Sequence, residues 1–346
     1  MHDNVISVRE ISERQNREWD GFIDSETLGT RYHKSSWLTM YEDDFGLQVF
    51  RLAALDDHNV IHGVLPLVRL NSCLFGDFLI SLPYVNYGGV VTSSPSTARC
   101  LIEASVVAAE GAGVQHVEYR HRIRHDLVER TDKVCMMLDL PLSIKELGVS
   151  IGAKRRSQVR RPLKEGATVD IGGSELLYDF YDVFATNMRD LGTPVYGKSF
   201  FSSVMKVLGE DGRIVIVRIK KKPIAAALLL RYQGTMEVPW ASSLARFNRI
   251  GANMLLYWSA LECAINIGCD KFDFGRSSIG SGTYRFKKQW GAIPVQQYWH
   301  YWLSPNTEIP HLNPQNPKYE LAIRVWRKLP VTLTKWIGPR IVMNLP

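Results

Sequence analysis

Residues 272–292, FDFGRSSIGSGTYRFKKQWGA, gather more reactive side chains than any stretch of similar length. Asp273 lies in a β-rich run, Gly275, Gly280 and Gly282 punctuate the chain after it, and Arg276, Lys287 and Lys288 supply cations. Such a composition suggests a nucleotide-phosphate loop, in which backbone N–H groups after a strand meet phosphate oxygens at a helix start. The run from Thr283 onward reads as a strand, so no helix N-terminus is expected after these glycines and the phosphate reading falls. Phe272 and Phe274 alternate with Asp273, which places the carboxylate away from the aromatic side, there to form an ion pair or, with Arg276, to orient a groove.

The elements that must hold these residues form two similar halves. In the first, residues 49–55 and 61–70 flank the turn composition Asp56-Asp57-His58-Asn59, a hairpin; 84–91 follow as a strand and turn, an alanine-rich helix spans about 97–111, and 113–119 form a strand. In the second, 214–219 and 224–232 flank a lysine-rich turn, a third strand lies near 236–241, and a helix spans about 251–267. Met254, Leu255, Trp258, Leu261, Ala264 and Ile265 recur along it at helical spacing, and 268–275 form the closing strand. GVQHVEYR and GCDKFDFGR therefore occupy equivalent places. The fold class is α/β (α+β): a duplicated module, each copy a mainly antiparallel mixed sheet flanked by helices, with a basic helical junction at about 154–165. The expected domains are 1–150, 151–305 and a basic amphipathic segment, 306–346.

The totals bound the function. With 346 residues, 45% apolar and 22% charged, the chain has material for two buried cores. The excess of 42 basic over 35 acidic residues suits an anionic partner, whether phosphate-bearing substrate, RNA or lipid surface, without choosing among them. Five scattered cysteines (73, 100, 135, 263, 269) point to reduced thiols. No metal is implied, because His121 and His125 lie among Arg120, Arg122 and Arg124, which would repel a cation. Residues 1–15 lack the apolar core of a signal peptide, and the longest apolar run, 224–230, is far shorter than the roughly 20 residues of a membrane span. A cytoplasmic protein is expected.

Several segments together resemble one family: YVNYGG (84–89), KRRSQVRRPLKEGATV (154–169), NMRDLGTPVYGKSFF (187–201), the helix opening at Gly251, and above all FDFGRS followed by GTYRFKKQWGA. They are similar to the FemAB/FemX family of tRNA-dependent aminoacyl transferases and relatives with a BioF2-like acetyltransferase domain. More narrowly they resemble the FemAB-like proteins found with exosortase/PEP-CTERM exopolysaccharide clusters. The resemblance implies two tandem GNAT-like domains and transfer of an aminoacyl or acyl group to an amine. It places the family's catalytic Phe-Lys pair on Phe286 and Lys287. An ammonium beside the attacked carbonyl stabilises the oxyanion that develops there; Lys288, one residue on along a strand, would point elsewhere, and no general base is appointed. Without the motif, Lys287 would read as a solvated lysine at a strand end.

The same resemblance assigns substrate binding to Arg189 and Tyr196, inheriting a diphosphate contact, and to Asn86, Tyr87, Trp240, Arg276 and Tyr284. A guanidinium fork suits phosphate oxygens, although Arg189 also sits where a helix C-terminus favours any cation. The counterpart of the coenzyme A pyrophosphate loop, Arg/Gln-x-x-Gly-x-Gly/Ala, is Asn248-Arg249-Ile250-Gly251-Ala252-Asn253, with asparagine at its first and last positions. A helix start that only packs is the other reading. No cofactor is bound; the donor is aminoacyl-tRNA or acyl-CoA, and the acceptor an amine-bearing small molecule or a lipid- or nucleotide-linked saccharide. The basic run 154–161 could meet tRNA. Basic amphipathic helices over 317–346, broken at Pro330 and Pro339, would lie on the inner face of a membrane or pack against the body. Alternatives are an acyl-CoA-dependent GNAT N-acetyltransferase and a non-catalytic GNAT-like scaffold for envelope assembly.

Overall fold

The structure is a computed structural model that describes residues 6–72, 76–309 and 317–345; Cys73 lies outside them. The chain begins β1 (Ser7–Glu10), α1 (Asn16–Ser25), α2 (Ser35–Asp43), β2 (Val49–Leu55), β3 (Ile61–Ser72), β4 (Gly76–Ile80), α3 (Pro95–Ala112) and β5 (His116–His121). After β6 (Val128–Arg130), β7 (Lys133–Asp139), α4 (Ile144–Ser150) and α5 (Gly152–Lys164), the same series runs again. Its second copy is β8 (Ala167–Gly172), α6 (Leu177–Leu191), α7 (Lys198–Leu208), β9 (Gly212–Ile219), β10 (Lys222–Tyr232), β11 (Thr235–Ser243), α8 (Ala252–Asn266) and β12 (Lys271–Ser278). The chain continues with α9 (Gly282–Lys288), β13 (Ile293–Gln296), β14 (Tyr298–Leu303), α10 (Pro317–Trp326) and α11 (Val331–Val342). The inferred duplication is thus present element for element.

Two sheets result, ordered β1-β2-β3-β4-β5-β14-β6 and β13-β7-β12-β11-β10-β9-β8. Place for place they match, with β8 to β12 standing for β1 to β5. The hairpin pairings are antiparallel, whereas β4–β5 and β11–β12 are parallel because a helix crosses over between the two strands. Each sheet takes its sixth strand from beyond the other repeat: β14 follows the second repeat in sequence yet pairs with β5, and β7 follows the first yet neighbours β12.

Two compact units are formed, Met1–Lys133 with Gln296–His311 and Asn344–Pro346, and Val134–Val295 with Leu312–Met343. They are drawn differently from the expected 1–150, 151–305 and 306–346, and the strand exchange is the reason. The last helices belong to the second unit, held by Lys335 Nζ on Asp182 at 2.8 Å and by the Arg327 guanidinium on the Leu191 carbonyl at 3.1 Å. Its core packs Val215, Val217 and Leu229 against Leu255 and Leu261 of α8 and Phe272 and Phe274 of β12. The first core centres on Leu65, Leu67, Leu79, Leu101 and Val117.

Three local expectations are corrected. Residues 84–91 form turns rather than a strand, apart from a single bridge between Val91 and Val64; Leu82 and Tyr84 take positive φ on either side of Pro83, and β4 occupies the third-strand place. The run from Thr283 is the helix α9, so a helix start does come after the glycines: Ser281 accepts the Tyr284 N–H at 3.1 Å and caps it. Pro330 separates α10 from α11 as expected, but Pro339 lies inside α11.

Candidate active site

Strands β11 and β12 register through three pairs only, Thr235↔Lys271, Met236↔Phe272 and Glu237↔Asp273, although they run on to Ser243 and Ser278. Where the pairing ends, β12 departs from regular strand geometry. Gly275 takes φ +75°, a conformation that side-chain-bearing residues rarely adopt, and donates its N–H to Asp273 Oδ1 at 2.7 Å. The Asp273 carboxylate therefore folds back along its own strand, and both it and its cross-strand partner Glu237 are buried.

Helix α9 returns the chain to this point. Phe286 meets Tyr257 of α8 edge-on at 5.0 Å, and Tyr257 stacks at 5.6 Å on Phe274, so aromatic packing fixes the roll of the short helix. That roll directs Lys287 inward. Its side chain is 7% exposed, and its ammonium donates to the carbonyls of Gly275 at 3.0 Å and Arg276 at 2.9 Å. Burial brings its pKa down to about 8, against the pull of Asp273, Cys135 and Glu237, while Arg276 adds to the lowering. Lys288 is exposed, as expected, though the cause is a helical step of about 100° rather than strand alternation. An amine in this state carries an ammonium that can face a developing oxyanion below about pH 8 and can accept a proton above it.

Residues 153–288 match the family described as the acetyltransferase (GNAT) domain. The second unit carries an acetyltransferase (GNAT) domain. By that domain the protein is an acyltransferase. None of the curated proteins matches the chain by sequence. Among solved structures, FemX is 15% identical with a TM-score of 0.61, over 85% of this chain and 96% of that one. The C-terminal domain (DUF2156) of a putative lysylphosphatidylglycerol synthetase from Agrobacterium fabrum is 14% identical with a TM-score of 0.55, over 83% and 91%. A tandem GNAT protein from the clavulanic acid biosynthesis pathway is 8% identical with a TM-score of 0.55, over 88% and 100%. At these identities the likeness is one of fold, a tandem of GNAT-type units.

Within the GNAT domain, the remaining expected residues fall into separate groups. The Arg276 carbonyl accepts from Lys287, and Tyr284, three residues before Lys287 on α9, packs against the second core. Tyr196 stacks on Phe200 at 4.6 Å, and Phe200 and Phe201 meet Trp240 edge-on at 5.6 and 5.4 Å, so Tyr196 and Trp240 share an aromatic cluster. Arg189, at the end of α6, donates to Asp190 at 2.7 Å and to the Leu329 carbonyl at 2.8 Å. Asn248 and Arg249 are exposed on the 3-10 turn before α8, Gly251 takes φ +86°, and Asn253 is half-buried in the first turn. A Cβ on Gly251 would stand 3.0 Å from the Gln158 carbonyl, so this helix start lies against α5. Asn86 and Tyr87 belong to the first unit, where Arg122 lies over the Tyr87 ring at 5.3 Å.

Sequence reasoning missed two features. Glu237 sits in an apolar strand with no motif around it, and only the β11–β12 register reveals its position opposite Asp273. The first unit holds a buried histidine cluster in which His121 Nδ1 and His300 Nδ1 lie 2.9 Å apart, across 179 positions of sequence, and the His125 N–H donates to His300 Nε2 at 3.1 Å. Among the described residues, no group of three His, Cys, Asp or Glu is arranged to hold a metal ion, and no helix is long and apolar enough to cross a membrane.

Proposed function

We propose that the protein transfers an acyl or aminoacyl group from a thioester or ester donor to an amine of a cell-envelope or exopolysaccharide precursor, with Lys287 stabilising the oxyanion. The supporting observation is the Lys287 ammonium, buried on a GNAT-type scaffold, held by two β12 carbonyls and lowered in pKa by desolvation. The acceptor nitrogen attacks the donor carbonyl carbon, and negative charge gathers on the carbonyl oxygen beside Nζ. Collapse forms the amide and breaks the C–S bond of an acyl-CoA or the C–O bond of an aminoacyl-tRNA, and the proton of the amine goes to the departing thiolate or alkoxide. Donors of both kinds fit this scheme; a structural neighbour is described as a tandem GNAT protein without AcCoA.

Mass spectrometry of the purified chain with acyl-CoA or charged tRNA and a panel of amino sugars tests the proposal. The expected result is an amide product with one donor class, reduced about 10²–10³-fold by Lys287→Met, the scale of losing one oxyanion donor. Product formation that survives Lys287→Met would remove the lysine from the mechanism, and no product with any donor would favour a scaffold.

A further inference from the structure

Helix α5, GAKRRSQVRRPLK, carries Lys154, Arg155, Arg156, Arg160, Arg161 and Lys164 and no acid. In the same unit Arg218 pairs with Asp170 and Asp179, Arg231 with Asp211, Arg189 with Asp190 and Lys335 with Asp182. Among the described residues, none of the six α5 cations stands in an ion pair. Arg155 and Arg156 donate to the carbonyls of Ile151 and Gly148, while Lys154, Arg160, Arg161 and Lys164 extend into solvent. Six like charges on one short helix repel one another, and an anionic surface would relieve that repulsion.

The second observation is apolar. Leu142, just before α4, is 95% exposed, Val149 at the end of α4 is 70% exposed and Leu163 on α5 is 47% exposed. Val149 and Leu163 line a 630 Å³ cavity between α4, α5 and α8, floored by Trp258, and Arg156 and Arg160 line the same cavity. Two cations and two exposed aliphatic side chains thus meet at one cavity, and Leu142 stands exposed at the start of the same helix pair.

We propose that this face of α4 and α5 docks on the surface of a bilayer containing anionic phospholipid. The charges meet headgroup phosphates, and the leucines and valine leave water for the acyl boundary, a division of labour found in interfacial helices. A nucleic acid would satisfy the arginines and leave the aliphatic side chains in water; α5 itself offers no aromatic ring for base stacking. Docking through this face does not depend on the acyl-transfer reading.

Flotation of the full chain with vesicles of phosphatidylglycerol and phosphatidylcholine, against phosphatidylcholine alone, tests the proposal. Binding is expected only to the anionic vesicles and is expected to weaken with salt. Each cation near an anionic leaflet contributes about fivefold in partitioning, so Arg160→Glu/Arg161→Glu/Lys164→Glu should reduce binding by about 100-fold or more. Lys220→Glu/Lys221→Glu/Lys222→Glu, the same charge change on the exposed β9–β10 turn, should retain most of it. Leu142→Ser/Leu163→Ser, with all cations kept, should also lose vesicle binding; unchanged circular dichroism and melting certify the fold of each variant. Equal losses from the two charge-reversed triples, or full binding by the serine variant, would overturn the proposal. So would α5 charge reversal that abolishes tRNA retention while vesicle binding stays intact, which would assign the face to RNA.

Discussion

The two repeats place a buried carboxylate on the strand after the crossover helix and bring a different kind of cation near it. In the first unit Glu118 of β5 is closed off: Arg120 Nε donates to it at 3.0 Å, Tyr301 Oη approaches at 3.2 Å, and Arg120 spends a further N–H on the Val85 carbonyl at 2.7 Å. In the second, Asp273 binds its own backbone, and the nearby cation, Lys287, is held by carbonyls rather than by a carboxylate. A buried ion pair satisfies both of its partners, whereas the hydrogen bonds that hold the Lys287 ammonium go to neutral carbonyls. The difference originates after the strand. β12 leads into α9 and its lysine, while β5 leads into an irregular segment containing Arg122, Arg124 and His125, with His300 entering from β14.

The largest effect should come from breaking the closed side. Arg120→Met strands Glu118 without its cation and should cost about 3–5 kcal/mol, read as a lower melting temperature, with activity per folded molecule retained. An unchanged melt would mean that the pair contributes nothing. On the open side, Lys287→Met should spare the melt and remove activity by the factor given above, about 2.7–4 kcal/mol of barrier. On the proposed mechanism the lysine acts as an ammonium, with burial bringing its pKa to about 8, so the wild-type rate should fall about tenfold per pH unit above that value. A rate that climbs through pH 8 would instead identify the neutral amine as a base.

The histidines test the first unit by acid. Burial lowers His121 well below its ordinary value, His33 to about 3 and His300 to about 4. Their folded pKa values lie below the unfolded value of 6.5, so below pH 6.5 the unfolded chain takes protons that the folded unit refuses. Stability is therefore full above about pH 6.5 and is lost as pH falls, by about 1.4 kcal/mol per pH unit for each such histidine. A melting temperature flat from pH 7 to 5 would contradict that burial. The smallest effect concerns the helix starts: Ser94 caps α3, whereas α8 opens on an uncapped Gly251 at φ +86°. Gly251→Ala should cost about 1–2 kcal/mol from backbone strain, against no more than a few tenths for Gly111→Ala, where a Cβ meets nothing.

The legible part of the fold came from periodicity. The hairpins β2–β3 and β9–β10 and the helices α3 and α8 lie within a few residues of their expected places because β-branched runs and turn residues bound them sharply. The duplication followed from their order. Helix α9 was illegible because its seven residues, with Tyr284 and Phe286 alternating with cations, mimic a strand; its one helical signal is the Ser281 cap. The Lys287 motif was readable, but its burial was not, since nothing local to Phe-Lys-Lys tells which side meets β12. His121 with His300, and Glu237 with Asp273, depend on strand order and register, which hydrophobic spacing does not encode.

The exchanged strands also set a timetable. A ribosome delivers the chain from its N-terminus, yet the first sheet lacks its sixth strand until Leu303 has been synthesised, late in a chain of 346 residues. Until then the edge of β5 is an open row of hydrogen-bonding groups, which other strands can capture. Completion of the first sheet therefore waits for the end of the second repeat. A chain stopped short of residue 298 would carry β5 as an edge strand, the kind of edge at which strands of other chains add.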